Sequence, residues 1–222
     1  MAYKTCVSVA ETTPARLDTA LRKALKKSEY AEIRLDFLRP GEIPGVLERT
    51  KKRLGRCVCT LRPKAEGGKF TGTEQERISI LKLIAEYNPY LIDIEFSTLA
   101  KNKNLANYVR KTKTQILVSW HDFKKTPSTN TLLEKFHKMR RLSKYVKIVT
   151  TARAIKDAAS VLSLYRKQDV KLIAFAMGNY GRISRILCMY LGSPYTYVSL
   201  GKPIAPGQFS VDEVKSLLAL QK

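Results

Sequence analysis

The sequence predicts one α/β domain, a (β/α)8 barrel spanning residues 1–222, and three observations lead there. Apolar strand-like runs alternate with stretches of helical period eight times, with short polar turns between them. A chain of 222 residues is long enough for one sizeable core, and eight βα units in that length suit a closed barrel better than an open sheet. No G-x-G-x-x-G follows the first strand, which removes the main support for a dinucleotide-binding sheet.

Taken in order, the strands read as TCVSVA (5–10), AEIRLD (31–36), RCVCTLR (56–62), YLIDIEF (90–96), QILVSWH (115–121), YVKIV (145–149), KLIAFAM (171–177) and YTYVSL (195–200). They are rich in the β-branched and apolar residues that fill buried parallel strands. The intervening helices carry start signals: Thr13 before Pro14, and capping boxes at Thr73/Glu76, Thr131/Glu134 and Ser210/Glu213.

Composition narrows the class. No apolar run is long enough to span a bilayer, and the N-terminal MAYKTCVSVAETTP lacks the basic-then-apolar order of a signal peptide, so a cytoplasmic protein is expected. The four cysteines, Cys6, Cys57, Cys59 and Cys188, lie in or beside apolar segments without metal-ligand spacing and read as buried thiols. No metal site is expected. Forty-one Lys and Arg against nineteen Asp and Glu give a formal charge of +22, which attracts anions of any kind, nucleic acid included. The basic clusters KKR (51–53), KNK (101–103), KTK (111–113) and KMRR (138–141) are scattered, however, and no zinc-finger, RRM or KH signature organises them. A solvated cationic surface is the reading preferred over a nucleic-acid-binding protein.

Alternation of side chains along strands puts charge where a core should be. In the second strand Glu32, Arg34 and Asp36 share the face opposite Ile33, Leu35 and Phe37. The third places Val58, Thr60 and Arg62 opposite Cys57, Cys59 and Leu61; the fourth pairs Asp93 with Glu95. His121 ends the fifth on the face of Leu117 and Ser119, and Lys147 sits in the sixth between Tyr145 and Val149. Unpaired buried charge costs several kcal/mol, so an interior lined this way is poor design for stability alone and marks a site at the C-terminal ends of the strands. The alternative for each carboxylate is a satisfied ionic network that only fixes strand register. For Asp36 and Asp93 the two readings weigh about equally.

The motifs EIRLDF, CTLRPKAEGG, DIEF, SWHDF, VKIV, GRISR and APGQ, in that order and spread over nearly the whole chain, resemble the type I 3-dehydroquinate dehydratases. The resemblance implies a cofactor-free barrel enzyme of the shikimate pathway. It would be a hydro-lyase that converts 3-dehydroquinate to 3-dehydroshikimate through an imine and usually forms homodimers. Matched residue by residue, the imine lysine is Lys147, the general acid–base histidine is His121 and the glutamate assisting it is Glu66. The residues that hold substrate hydroxyls match Glu32 and Arg34, with Arg62 close by; carboxylate recognition matches Arg185 and Gln208. One departure stands out: a serine usual two residues before the final Pro-Gly-Gln is Ile204 here.

The chemistry suits these residue types. A carbanion next to a ketone has nowhere to place its charge until the ketone becomes a protonated imine, which only a lysine provides. An ordinary lysine is neutral in roughly one molecule in two thousand at pH 7, and burial together with Arg34, Arg62 and Arg185 is expected to raise that fraction. An imidazole can take the α-proton and return it to the leaving hydroxyl. Of the two histidines, His137 falls on a basic helical stretch and reads as solvated. The segment GKPIAPGQ (201–208) reads as a lid or as a plain ordered loop. A Schiff-base aldolase on the same kind of barrel is the nearest rival; GRISR and APGQ favour the dehydratase.

Overall fold

The computed structural model describes residues 3–167 and 169–219, the side chain of residue 167 excepted. Eight parallel strands form one sheet in the order β7-β6-β5-β4-β3-β2-β1-β8. They are β1 (Thr5–Val9), β2 (Tyr30–Arg34), β3 (Cys57–Thr60), β4 (Leu91–Glu95), β5 (Gln115–His121), β6 (Tyr145–Thr151), β7 (Lys171–Met177) and β8 (Thr196–Val198). Between and after them run α1 (Pro14–Lys27), α2 (Ile43–Thr50), α3 (Glu74–Glu86), α4 (Phe96–Lys101), α5 (Lys103–Arg110), α6 (Thr129–Arg140), α7 (Ile155–Leu162), α8 (Ser184–Tyr190) and α9 (Val211–Ala219). This is the (β/α)8 barrel expected from the sequence.

Two apolar layers follow from strand alternation. The larger lies between strands and helices and takes Val7, Ile33, Cys59, Ile92, Val118, Ile148 and Ala174 from the strands. The smaller fills the barrel: Cys6, Val58, Leu91, Leu117, Tyr145, Val149, Ile173 and Tyr197. All four cysteines are buried and unpaired. Among the described residues, no helix is long and apolar enough to cross a membrane.

The helix starts are mostly as read. Thr13 caps α1 ahead of Pro14, and the capping boxes Thr73/Glu76 and Ser210/Glu213 form. The box expected at Thr131/Glu134 does not: α6 begins three residues earlier, and Ser128 accepts the Thr131 N–H. A second correction concerns Asp36. β2 ends at Arg34, and Leu35–Phe37 turns as a 3-10 helix, so Asp36 leaves the strand and does not face the barrel interior from it.

No backbone ladder joins β7 to β8 among the described residues. Side chains close this seam. Ala174 N donates to Tyr165 Oη at 2.8 Å and Ala176 N to Ser184 Oγ at 2.9 Å, which satisfies the free edge of β7. From the other side, Thr196 Oγ1 of β8 donates to the carbonyl of Arg185 at 2.7 Å. The first two residues of α8 thus hold both strands.

Candidate active site

The C-terminal mouth of the barrel opens into a cavity, and every site residue read from the sequence lines it: Glu32, Arg34, Arg62, Glu66, His121, Lys147, Arg185 and Gln208. Lys147 projects from the middle of β6. Its Nζ stands 3.2 Å from Asp93 Oδ2, 3.5 Å from Glu32 Oε1 and 4.1 Å from the centroid of the Tyr197 ring. The nearest charges to this amine are therefore carboxylates rather than the arginines expected beside it.

Those carboxylates are themselves fixed. Glu32 accepts from Ser8 Oγ at 2.9 Å and from Thr60 Oγ1 at 3.0 Å, one bond to each oxygen. Asp93 accepts from Arg62 Nη2 at 2.6 Å and from Ser119 Oγ at 2.5 Å. Burial alone would push Asp93 up, but Arg62 and Lys147 beside it hold its carboxyl well below the usual range. Arg62, just past β3, donates its other nitrogen, Nη1, to Glu95 at 2.6 Å and to Ser119 at 2.7 Å. Asp93 and Glu95 are thus tied to the site and not merely to strand register.

His121, the last residue of β5, pairs across the sheet with Val149 and lies two residues beyond the Ser119–Lys147 pair. Its Nδ1 lies 3.0 Å from Glu66 Oε2, and its backbone N–H donates to the same oxygen at 3.2 Å. This bond sets the tautomer and leaves Nε2 for the cavity. Burial first, then Arg62 and Lys147, depress the imidazole well below an ordinary histidine, so it is neutral at pH 7. Burial raises Glu66 to about 7 despite the opposing pull of Arg62. The loop carrying Glu66 needs its glycines: Gly67 has φ 75°, and a Cβ there would strike the Phe123 ring that stacks on His121 at 6.1 Å. A Cβ on Gly68 would come within 1.9 Å of the Arg62 carbonyl.

At the rim, Arg34 donates twice to Asp36, at 2.8 and 2.7 Å, and Asp36 also accepts from Lys69 N at 2.9 Å. Arg185 lies over the Phe175 ring at 4.3 Å and donates to the Pro206 carbonyl at 3.1 Å, while its buried Nε has no partner. Burial lowers this guanidinium to about 10. The 201–208 segment folds over the cavity, which Ile204, Ala205, Pro206 and Gln208 line. Where the serine is missing, the Ile204 N–H donates to Gln208 Oε1 at 2.9 Å, so the backbone still fixes that amide. His137 is exposed on α6, away from the cavity.

Sequence reading left out Ser8 and Tyr197. Strand parity was available for both, because Ser8 shares a face with Cys6 and Tyr197 with Tyr195, but neither carries a charge that draws attention. Arg77, on α3, was also left out; a helix gives no parity signal for the barrel interior. Among the described residues, no group of three His, Cys, Asp or Glu is placed to hold a metal ion.

Comparison with known proteins agrees with this geometry. The family model described as type I 3-dehydroquinase matches residues 5–222. The chain is 33% identical over 220 residues to a 3-dehydroquinate dehydratase of Methanocaldococcus jannaschii, covering 97% of each chain. It is 38% identical over 203 residues to one of Dehalococcoides mccartyi, covering 86% of this chain and 87% of that one. In fold it is similar to the crystal structure of 3-dehydroquinate dehydratase from Geobacillus kaustophilus, with a TM-score of 0.91 at 23% identity over 99% of this chain and 91% of that one. A match over nearly the whole chain, together with a lysine, a histidine and an arginine converging on one barrel mouth, means that this chain belongs to the type I 3-dehydroquinase family.

Proposed function

We propose that this chain, acting as one catalytic domain over residues 1–222, dehydrates 3-dehydroquinate to 3-dehydroshikimate through an imine on Lys147. The observation that carries the proposal is Lys147 Nζ, held between Asp93 and Glu32 in the same cavity as a neutral His121. Nζ adds to the ketone carbon, water leaves, and the protonated C=N becomes the electron sink. Nε2 of His121 takes the α-proton, and the electron pair moves into an enamine. The enamine then expels the β-hydroxyl, which departs as water with the proton His121 has taken up. Hydrolysis of the conjugated imine frees the product and restores the amine. Glu66 holds the imidazole in its working tautomer. Glu32, Arg34 and Arg62 face the substrate's hydroxyls, and Arg185 with Gln208 takes its carboxylate.

Borohydride added with 3-dehydroquinate is expected to add mass to Lys147 alone; an adduct on another lysine, or none on folded protein, overturns the reading. His121→Ala is expected to keep the adduct while turnover falls roughly 10²- to 10⁴-fold.

We further propose a cytoplasmic homodimer. Free buried thiols suit a reducing compartment. Tyr180, Ile183, Leu187 and Tyr190 are exposed apolar side chains in and just before α8, the last three at helical spacing, where a chain of charge +22 can meet a second copy. Sedimentation of Ile183→Glu should give a monomer; an unchanged sedimentation coefficient removes this face from the interface.

A further inference from the structure

We propose that Arg77, on the outer helix α3 and outside the cavity lining, is a positioning residue of the reaction: it supplies the charge that balances the Lys147 site. The inference rests on the imine reading above. Six buried side chains alternate in sign from cavity to helix layer: Glu32, Lys147, Asp93, Arg62, Glu95 and Arg77. The links are 3.5 Å from Glu32 to Lys147, 3.2 Å on to Asp93, and 2.6 Å each for Asp93–Arg62, Arg62–Glu95 and Glu95–Arg77. No side chain in the series is more than 7% exposed.

A buried charge without an opposite neighbour is costly, so the count matters. Three carboxylates face three cations only when Nζ is positive. Within the series the count is set by these six groups: Arg34 beside it is answered by Asp36, and Glu74, which also binds Arg77, is half exposed to solvent. A neutral amine leaves the cluster one charge negative; the protonated imine restores the balance. The interior thus favours the intermediate over the free amine, where the reaction needs a cation.

Arg77 makes this possible from outside. Its Nη1 donates to Glu95 Oε2 and, at 3.3 Å, to the Leu61 carbonyl; Nη2 binds Thr98 Oγ1; Nε is held at 2.8 Å by Glu74. Without Arg77, Glu95 has only Arg62 to answer its charge. Arg62 is then drawn from Asp93, and Asp93 is freed from the geometry that aims its oxygen at Nζ. A guanidinium that merely cemented α3 to the barrel would affect stability and leave the chemistry alone.

The test compares wild type, Arg77→Gln, Glu95→Gln and the double variant in kcat, KM and the rate of borohydride trapping with 3-dehydroquinate. Arg77→Gln is expected to lower kcat and trapping together, roughly 10- to 100-fold, with KM within about twofold. The double variant faces two carboxylates with two cations and should recover most of the trapping rate. An Arg77→Gln protein that keeps its kcat overturns the proposal, as does a double variant whose loss is the product of the two single losses. Should Arg77→Gln fail to fold, Arg77→Lys decides: it keeps the charge and should retain turnover to within about tenfold, and a larger loss in folded protein overturns the proposal. Wild type that is trapped normally beside an unimpaired Arg77→Gln sinks this inference alone; wild type that is never trapped removes the imine reading and this inference with it.

Discussion

The two ends of the barrel interior are filled by opposite means. At the N-terminal end the rings of Tyr30, Tyr90, Tyr145 and Tyr195 close the floor: Tyr30 stacks on Tyr90 at 4.7 Å and meets Tyr195 at 5.4 Å, and Tyr90 meets Tyr145 edge-on at 6.0 Å. The polar ties there are few: Tyr90 and Tyr145 share a hydroxyl bond of 3.1 Å, and Lys171 Nζ donates to Tyr145 Oη at 3.0 Å. At the mouth the interior is lined by polar and titratable side chains, most of them held in hydrogen bonds or ion pairs. Aromatic area stabilises with little geometric demand, whereas a charged network is costly to bury and rigid once satisfied. The floor is therefore expected to carry stability and the mouth the proposed chemistry.

Lys147→Ala should separate the two ends most sharply. Turnover should fall to background while the barrel still folds by circular dichroism; residual turnover above background would mean another amine serves. Tyr90→Ala is the converse. It should lower stability by about 3 kcal/mol in urea unfolding, with kcat/KM of the folded protein nearly unchanged, and a matching loss of activity would tie the floor to the chemistry.

Glu66→Gln probes the mouth through pH. Burial raises Glu66 from about 4.5 to about 7 in the folded protein, so folding takes up a proton between those values. This stability is fully present below about pH 4.5 and is lost as pH rises through 7. Wild type should therefore weaken relative to Glu66→Gln across that window, by an amount on the order of 2–3 kcal/mol. His121 acts in the opposite sense, since its depressed value gives stability present above about 6.5 and lost as pH falls. A pH-independent difference between the two proteins would show that Glu66 is not protonated by burial. Arg185→Ala is the smallest change, expected to raise KM about tenfold at nearly constant kcat; an unaltered KM would take Arg185 out of carboxylate recognition.

The legible parts of the site were those with a strand to carry them. Lys147, His121, Glu32 and Arg62 combine a charged or titratable side chain with an apolar run, and parity alone places them inward. Their chemistry came from the resemblance rather than from parity. Asp36 was misplaced because Leu35 continues the apolar alternation, while the chain turns to let Asp36 grip Arg34 and Lys69 N. Tertiary hydrogen bonds decided that turn, and local propensity carries no trace of them. Arg77 escaped for a similar reason: an arginine in a helix reads as a solvated face, and only the packed barrel brings Glu95 to it.

The seam between β7 and β8 bears on how the enzyme behaves when warmed. Strand-to-strand hoops elsewhere in the barrel are backbone ladders; here the joint is the Tyr165 hydroxyl with a serine hydroxyl and a carbonyl at the start of α8. The residue that offers the carbonyl is Arg185, proposed above to take the substrate's carboxylate, so the joint without a ladder is tied to that proposed grip. Heat that loosens this joint is expected to tilt the guanidinium before any ladder parts. Affinity should thus decay several degrees ahead of the fold, visible as KM climbing while the circular dichroism of the barrel stays level.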